Sequence, residues 1–364
     1  MIISRTPYRI SFFGGGTDYP VWSLQNGGAV LASTFNKYCY ITVRYLPPFF
    51  EHRTRIVYSK VEHCMKNEEI RHAAVREVLR FLGIHRGLEI HHDGDLPARA
   101  GTGSSSSFTV GLLHAVHALQ GHMPSRLQLA TESIHVEQEV LKETVGSQDQ
   151  VMAAFGGLNR VVFHPHGDFT VTPLSLPRRR IEEFNSHLML FFTGVQRTAS
   201  AVAGNYVSDL GRKEGSLRRM LAMVDEGMAV LTQGDLSDFG HLLHEGWQLK
   251  RGLGPNISSP LIDDAYDEAR AAGALGGKIM GAGAGGFLML FAHPRDQECI
   301  RRRLDRLIHV PFRLERHGSQ IIFLEPEEDY SVHDDWRSRQ EIDPFREALL
   351  VEESGGVQAP PTMA

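Results

Sequence analysis

The amino-acid sequence predicts an α+β protein built from two blocks that divide near residue 180. Strand-like and helical segments are mixed in both blocks, which favours this fold class. A chain of 364 residues is long enough for two domains. A composition of 42% hydrophobic and 22% charged residues is typical of a globular protein with a sizeable core.

Charge, cysteine usage and hydropathy exclude several classes of protein. Lys and Arg number 38 against 43 Asp and Glu, so the formal net charge is −5, which does not favour a nucleic-acid binder. Cys39, Cys64 and Cys299 form no CxxC pair, and their sparse spacing suits a reducing compartment. The chain shows no apolar signal segment and no run of about 18 apolar residues, so we expect a cytoplasmic protein without a membrane span.

The strands and helices of the first block, 1–180, are predicted from runs of β-forming residues, from proline and glycine stop signals and from one helix cap. Pro47 and Pro48 end the second strand-like run. Ser125, with Gln128 three residues later, is typical of a helix start. The predicted strands are 2–13, 38–46, 88–92, 158–163 and 169–174. The predicted helices are 67–82, 108–119 and 125–143.

The second block, 181–345, follows a polar stretch at 177–186 that we interpret as a boundary. A glycine loop and an apolar strand occupy 279–291. The small and polar residues from about 353 predict a disordered end to the tail 346–364. The other predicted elements are a strand at 188–193 and helical patterns at 198–250, 260–272 and 296–308.

The segment LPARAGTGSSSSF, 96–108, joins a predicted strand to a predicted helix. Gly101 and Gly103 allow close approach of the backbone to a ligand. The helix start presents free N–H donors and a partial positive charge, and four serines at 104–107 add hydroxyl groups. The pattern therefore predicts a phosphate site, with a flexible linker as the alternative. It is not a Walker A loop, because no Gly-Lys-Ser/Thr follows.

The helix predicted over 125–143 carries one acidic residue within an apolar stripe. The stripe, at spacings of three and four, consists of Leu127, Ala130, Ile134, Glu137 and Leu141. A buried carboxylate needs a partner, so Glu137 is a candidate metal ligand, and a core ion pair is the alternative. The glutamates off the stripe, at 132, 139 and 143, are expected to be solvated.

Asp149 lies in the polar turn VGSQDQ, 145–150. A carboxylate there could accept a proton or orient a hydroxyl group. An ordinary turn-forming role is the alternative.

Two further glycine motifs flank these segments. In RTPYRISFFGGGTDYP, 5–20, a sharp turn could place Asp18 against sugar hydroxyls and Arg9 near negative charge, although an ordinary strand and turn would look similar. In GGKIMGAGAGGFLMLF, 276–291, the glycines satisfy G-x-G-x-x-G. A strand follows where the dinucleotide fingerprint needs a helix, so we discount that interpretation.

In order along the chain, these motifs resemble those of the GHMP kinases, which include galactokinase, homoserine kinase, mevalonate kinase and phosphomevalonate kinase. The resemblance anchors most of residues 5–291. Thr102 departs from the usual Leu of the ATP loop, and GGGTD departs from the Gly-Glu-His of galactokinases. Together with VGSQDQ and GWQLKRGL (246–253), GGGTD resembles the branch that phosphorylates sugars at the anomeric carbon. Fucokinase-type enzymes share parts of this pattern.

The resemblance implies a ribosomal-protein-S5-like N-terminal domain and a ferredoxin-like C-terminal domain, with ATP and the sugar in the cleft between them. It implies Asp149 as the catalytic aspartate with Arg9 beside it, and Mg²⁺ held by Ser105 and Glu137. The implied ATP-binding residues are Arg99, Ala100, Gly101, Thr102, Gly103, Ser104, Ser105 and Ser106. The implied substrate-binding residues are Gly15, Gly16, Thr17, Asp18, Gly283, Ala284 and Gly285.

A phosphorylated sugar would also need a basic pocket. Arg197, Lys250 and Arg251 are candidates because they lie near loop or helix ends, with solvated surface charge as the alternative for each. The arginine runs at 178–180 and 301–303 are expected to be solvated. The expected partner is a small sugar phosphate, without nucleic acid or membrane, and a homodimer is left open. A fucokinase-like activity and a non-catalytic sugar or nucleotide sensor are the alternative functions.

Overall fold

The computed structural model describes residues 1–195, 213–254, 257–326 and 328–339. It confirms the α+β class, with two sheets covered by helices. The strands are β1 (Ile2–Phe13), β2 (Gly28–Tyr45), β3 (Thr54–Val57), β4 (Val61–Cys64), β5 (Leu88–Gly94), β6 (Leu158–Phe163), β7 (Phe169–Pro173), β8 (Leu188–Phe192), β9 (Ala274–Ile279), β10 (Phe287–Ala292), β11 (Ile308–His309), β12 (Leu314–Glu315) and β13 (Gln320–Leu324).

Helices cover the sheets and connect them. They are α1 (Pro20–Asn26), α2 (Ala73–Phe81), α3 (Ser104–Leu119), α4 (Arg126–His135), α5 (Gln148–Phe155), α6 (Arg178–Ser186), α7 (Glu214–Gln233), α8 (Leu236–Arg251), α9 (Pro260–Ala271), α10 (Gln297–Arg303) and α11 (Ser331–Ser338). The apolar helix α3 is buried along most of its length and packs on β1 and β2, which fixes its N-terminus relative to the first sheet.

The first sheet is organised around the long strand β2. Within the described residues its strand order is β13-β1-β2-β5-β3-β4, with β6 and β12 also paired to β2, and β7 paired to β6. The pairing is antiparallel except between β3 and β5. The β1–β2 register shifts between Pro7 and Tyr8, and irregularities of this kind can re-aim side chains beside a site. Arg9 follows directly after this shift.

The second sheet has the antiparallel order β11-β8-β10-β9 among the described strands. The strands β12 and β13 come after it in the chain but return to pair with β2 and β1 of the first sheet. The two sheets therefore do not separate cleanly at residue 180.

Aromatic side chains join the two halves through one apolar core. Phe12 and Phe13 at the end of β1 contact Phe239 of α8 with ring centroids 5.5 and 4.9 Å apart. Phe184 of α6 contacts both Phe12 and Phe239 in edge-to-face geometry. Such contacts bury large apolar areas and hold the walls of the intervening cleft in a defined orientation.

The serine run starts a helix, where the sequence predicted that it would complete a loop. α3 begins at Ser104 rather than at residue 108, because Gly103 is left-handed (φ 74°, ψ 28°) and its carbonyl accepts the Ser107 amide at 2.9 Å. Asp149 was likewise expected in a turn, but it lies in the first turn of α5. Both corrections place polar side chains at helix N-termini, where N–H groups are free.

The helix predicted over 125–143 begins as expected, because the Ser125 hydroxyl accepts the Gln128 amide at 3.1 Å. After His135 it widens into a π-helical turn, Val136–Val140, which rotates later side chains relative to an ideal α-helix. The predicted stripe is wrong at Leu127, because α4 buries the face of Leu129, Ala130 and Ser133 and leaves Leu127 exposed, although Glu137 is buried as expected. Glu132 is not simply solvated, because it lies 2.7 Å from His117 Nε2.

The polar stretch at 177–186 is the helix α6 and not a linker. Phe184 anchors it in the core, and Arg180 donates to the carbonyl oxygens of Val230, Leu231 and Gly234 at the end of α7. The expectation that Arg180 is solvated is therefore wrong.

One charged group in the first sheet is fully neutralised by neighbouring side chains. Glu89 of β5 accepts hydrogen bonds from Arg44 at 2.6 Å and from Arg55, and lies 2.8 Å from His91 Nε2. Burial alone would raise the pKa of Glu89, but the bonds from His91, Arg44 and Arg55 outweigh it and lower the pKa to about 2. We call Arg44, Arg55, Glu89 and His91 the Glu89 cluster.

No helix in the described ranges combines the length and the apolarity that a membrane crossing requires.

Candidate active site

A cavity of about 960 Å³ opens between the two halves of the molecule. Its walls come from the end of β1, the loop before α3, the first turns of α3 and α5, the end of α8 and the loop between β9 and β10. A volume of this size can hold a nucleotide together with a second small molecule.

The backbone of the loop before α3 lines the cavity and is suited to bind phosphate. Gly101 and Gly103 have φ of 80° and 74°. A Cβ at Gly101 would lie 2.5 Å from the Met280 carbonyl oxygen, so the loop packs closely on the glycine loop before β10. A side chain at either position would be strained. The free amides at the α3 N-terminus then face the cavity, as an anion site requires.

The four serines at the start of α3 divide into two pairs. Ser104 and Ser105 line the cavity, and the Ser104 hydroxyl accepts the Arg99 amide at 3.2 Å. Ser106 is buried and donates to Glu137 Oε2 at 2.9 Å, while Ser107 donates to the Pro7 carbonyl at 2.9 Å. Only the first pair is therefore placed to contact a ligand directly.

Glu137 is a buried carboxylate that forms no ion pair with any residue that the structure describes. Its Oε2 accepts from Ser106 and, at 2.6 Å, from Gln150 Nε2. Its Oε1 has no hydrogen-bond partner among the described residues, although the side chain lines the cavity. Burial raises the pKa of Glu137 to about 8. The side chain is thus held in place, and without a cation beside it burial favours its neutral, protonated form at pH 7.

These residues fit a magnesium ion that is shared with phosphate oxygens. The orphaned Glu137 Oε1 is a hard oxygen donor of the kind that Mg²⁺ prefers. The His, Cys, Asp and Glu side chains that the structure describes form no group of three or more that could hold a metal. In kinases, Mg²⁺ is typically bound by a few protein oxygens together with oxygens of the substrate phosphate.

Arg9 and Asp149 form a bidentate ion pair at the centre of the cavity. Arg9 Nε donates to Asp149 Oδ1 at 2.6 Å and Nη2 donates to Oδ2 at 2.9 Å. The remaining Nη1 donates to the Gly101 carbonyl at 2.7 Å, which ties the pair to the phosphate loop. Arg9 is almost fully buried, so it holds Asp149 in one orientation.

Asp18 lies close to Asp149 and is fastened by backbone and amide donors. Its Oδ1 accepts the Gly16 amide at 2.9 Å, and its Oδ2 accepts Gln148 Nε2 at 3.0 Å. Burial, together with the charge of Asp149, raises the pKa of Asp18. The Gln148 Oε1 and the Ser11 hydroxyl nearby are buried and have no partner in the described part of the chain. Polar atoms of this kind can hold sugar hydroxyls.

Two lysines from the second half complete the cavity. Lys250 at the end of α8 donates to the Gly281 carbonyl, and Lys278 of β9 donates to the Phe12 carbonyl at 3.1 Å. Both are at least 93% buried, with exposed fractions of 7% and 6%. Burial, reinforced by Arg9, lowers the pKa of Lys250 to about 8, and burial with the charge of Lys250 lowers the pKa of Lys278 well below its usual value.

The sequence-predicted residues meet in this cavity with some exceptions. Arg9, Asp18, Glu137, Asp149 and Lys250 all line it, together with Gly15, Gly16, Arg99, Gly101, Gly103, Ser104, Ser105, Gly283 and Gly285. Ala100, Thr102, Thr17, Ser106 and Ala284 are not among the lining residues. The Thr17 hydroxyl, for example, donates to the Gly14 carbonyl and supports the turn.

Of the arginines predicted for the basic pocket, the described one is not brought into it. Arg251 pairs with Asp263 of α9 at 3.2 Å and does not line the cavity. Because successive helix positions point about 100° apart, only Lys250 of the adjacent pair can face inward. Arg197 lies outside the described residues. Lys278 was missed, and its only sequence signal is a lone cation between glycines and apolar residues of a buried strand.

Comparisons with known proteins agree with this geometry. The model of the GHMP kinases N terminal domain matches residues 69–157, and the model of the GHMP kinases C terminal domain matches residues 228–309. A D-glycero-alpha-D-manno-heptose 7-phosphate kinase of Campylobacter jejuni is 27% identical over 80% of this chain and 90% of its own. A bifunctional fucokinase/GDP-fucose pyrophosphorylase of Arabidopsis thaliana is 24% identical over 84% of this chain, which spans 31% of that protein.

A solved structure shows the same fold. A D-glycero-D-manno-heptose 1-phosphate kinase from Bacteroides thetaiotaomicron superposes with a TM-score of 0.74 and 24% identity, covering 90% of this chain and all of that one. The chain therefore belongs to the GHMP kinases, and both halves carry the domains of that family. Within the family it is a sugar kinase of the GHMP type.

Proposed function

We propose that the chain transfers the γ-phosphoryl group of ATP to the anomeric hydroxyl of a sugar, with D-glycero-D-manno-heptose 7-phosphate as the acceptor. The product is the 1,7-bisphosphate, a precursor for nucleotide-activated heptose in surface polysaccharides. The heptose 7-phosphate kinase of Campylobacter jejuni, similar over most of both chains, supports this choice of sugar.

The position of Asp149 carries the proposal. A Cβ at Gly103, the residue just before α3, would lie 3.2 Å from Asp149 Oδ2. The candidate base therefore stands directly beside the helix N-terminus that is suited to phosphate. A sugar hydroxyl placed at Asp149 would lie next to the phosphoryl group that it attacks, which is the positioning that phosphoryl transfer needs.

The first half of the molecule provides the nucleotide side of the reaction. The amides of the loop 99–104 and the first turn of α3 would hold the ATP phosphates. Ser105 and Glu137 would hold Mg²⁺, which neutralises charge on the phosphate oxygens when bound. Ser106 and Gln150 fix the Glu137 carboxylate and so act as positioning residues.

Asp149 and Arg9 act on the acceptor hydroxyl. Asp149 accepts the hydroxyl proton or aligns the hydroxyl for in-line attack, and a loose transition state requires little more activation than this. Arg9 keeps the carboxylate oriented through both of its oxygens and supplies positive charge near the transferring group. Asp18 would then hold other hydroxyls of the sugar.

A substrate panel tests the proposed function. Purified protein is given ATP and Mg²⁺ with heptose 7-phosphate, mannose, fucose or galactose, and ADP release is followed by a coupled assay. We expect the highest kcat/KM with heptose 7-phosphate. A higher kcat/KM with fucose would instead favour the fucokinase activity named for relatives that are 24% identical. Nucleotide binding without turnover on any sugar would favour a sensor.

A further inference from the structure

The buried lysines form a feature that the phosphoryl-transfer chemistry leaves unused. Within the parts of the chain that the structure describes, neither Lys250 nor Lys278 makes an ion pair. Each donates one hydrogen bond to a backbone carbonyl and has further N–H donors to offer. Both side chains line the cavity.

Charge in this corner of the cavity is not balanced by the protein. Arg9 and Asp149 neutralise each other through their bidentate pair, and Asp18 is the remaining carboxylate beside the lysines. With both lysines protonated, their positive charge exceeds the negative charge of the one carboxylate beside them. Burial therefore lowers the pKa of each lysine in the ligand-free protein. Burying such charge is unfavourable unless an anion completes the set. The arrangement is therefore adapted to a ligand that carries negative charge.

Lys278 lies beside the backbone that leads to Asp18. Its ammonium bonds to Phe12, just ahead of the glycine turn that leads to Asp18. The charge of Asp18 acts on both lysines, whereas that of Asp149 acts on Lys250. Lys278 thus lies on the side of the proposed acceptor sugar. The ATP phosphates are already assigned to the amides of the loop 99–104 and of the first turn of α3.

We infer that Lys278, together with Lys250, forms the subsite for the phosphate group that the acceptor sugar already carries, and so selects phosphorylated over unphosphorylated sugars. This inference rests on the proposed function, because it assumes a sugar phosphate as acceptor. A dianionic phosphate would accept from both ammonium groups. Lys278 is then a specificity residue, whereas Asp149 remains the group that acts on the reacting hydroxyl.

The kinetic test compares two acceptors that differ only in the phosphate. Wild type, Lys278→Met and Lys278→Arg are assayed with saturating ATP on heptose 7-phosphate and on the unphosphorylated heptose. Lys278→Met should raise KM for the phosphorylated sugar about 10- to 100-fold, the usual size of a charge-assisted hydrogen bond. KM for the unphosphorylated sugar should change less than about twofold, and Lys278→Arg should restore part of the loss.

Arg295→Met is the matched control. It also removes one positive charge from the second half, but Arg295 is exposed and, among the described residues, pairs with its neighbour Asp296. This variant should behave as wild type on both sugars. An equal loss on both sugars in Lys278→Met would overturn the inference and assign Lys278 a structural role. A fall in kcat at constant KM would also overturn it, because Lys278 would then act on the transferring phosphoryl group.

A binding measurement keeps the inference testable without turnover. Isothermal titration calorimetry with inorganic phosphate is run on protein whose nucleotide site is filled by a non-hydrolysable ATP analogue. Wild type and Arg295→Met should bind phosphate, and Lys278→Met should bind it at least about tenfold more weakly. Equal binding by all three contradicts the subsite. If the substrate panel shows turnover of unphosphorylated sugars alone while phosphate still binds through Lys278, the proposed substrate fails and the subsite stands.

Discussion

Two groups of charged side chains in this molecule have opposite relations to their surroundings. In the Glu89 cluster the buried carboxylate is matched by Arg44, Arg55 and His91, and its pKa is lowered to about 2. In the cavity, Glu137 is buried without a cation and its pKa is raised to about 8, while Lys250 and Lys278 are buried without a paired carboxylate. The Glu89 carboxylate is itself almost unexposed, as Glu137 is, but its partners Arg44 and His91 reach solvent.

The difference teaches how a structural charge can be told from a functional one. The Glu89 cluster is complete, so folding itself supplies every partner that the charge needs. The cavity residues are held by hydrogen bonds, but no described residue compensates their charges, so burial shifts their pKa values towards the neutral forms. Their compensation must come from ligands: a magnesium–phosphate complex on the side of Glu137, and a sugar phosphate on the side of the lysines.

The largest expected effect lies at Asp149, the cavity carboxylate that is paired with an arginine. Asp149→Asn should lower kcat by about 10²- to 10⁴-fold, the usual contribution of a general base, with ATP affinity little changed. Steady-state kinetics and nucleotide titration measure both quantities. Turnover at the wild-type rate would show that catalysis does not need Asp149. The Arg9–Asp149 ion pair would then have a structural role.

Glu137→Gln tests the uncompensated carboxylate. It should raise the Mg²⁺ concentration needed for half-maximal activity by about tenfold or more, since a hard oxygen ligand is lost. The free energy of unfolding without ligands should stay nearly equal at pH 7, because a carboxyl with a pKa of about 8 is already mostly neutral there and the amide has a similar size. Magnesium titrations and urea unfolding report the two effects.

Glu139→Gln is the control for that variant. Glu139 lies two residues further on and is exposed, with its ion pair to Lys142 in solvent. Its removal should leave the magnesium requirement unchanged. Equal effects of the two substitutions would defeat the assignment of Glu137 as the metal ligand.

Glu89→Gln should show the reverse pattern. The amide keeps one acceptor oxygen but loses the negative charge and the second acceptor that Arg44 and Arg55 share, so the free energy of unfolding should fall by about 2 kcal/mol, as for a hydrogen bond to a charged group. Activity at a temperature well below the unfolding transition should remain within about twofold of wild type. A loss of kcat without a loss of stability would show instead that Glu89 contributes to activity.

The smallest effect is a pH dependence of stability. The folded-state pKa of Glu89, about 2, lies below its ordinary value of 4.5, so its stabilising contribution is fully present above pH 4.5. It should be lost progressively as the pH falls from 4.5 towards 2. Urea unfolding of wild type and Glu89→Gln should therefore differ most near neutral pH and converge in acid.

The sequence predicted those parts of the site that leave a local pattern. Gly101 and Gly103 mark a close backbone approach, and Glu137 interrupts an apolar stripe, so both could be recognised from spacing alone. The pairing of Arg9 with Asp149, 140 residues away, came from the family resemblance and not from periodicity. The strands β12 and β13 return to the first sheet through long-range pairing that no local pattern encodes.

Other features depend on exact helix geometry. Which serine meets Glu137 is decided by the start of α3 at Ser104 and by the π-helical turn at Val136–Val140. If α3 were shifted by one residue, a different serine would face Glu137 in place of Ser106. Lys278 gives no periodic signal in a buried strand, and its role follows only from the neighbours that the fold assembles around it.

The most direct test of the account is the chemical identity of the product. Wild-type protein is incubated with ATP, Mg²⁺ and D-glycero-D-manno-heptose 7-phosphate, and the product is examined by ³¹P nuclear magnetic resonance with coupling to the sugar protons. We predict one new phosphate on C1 of the heptose, formed in equal amount to ADP. ADP formation without a C1 phosphate, or a phosphate on another hydroxyl, would contradict the assignment of an anomeric sugar kinase.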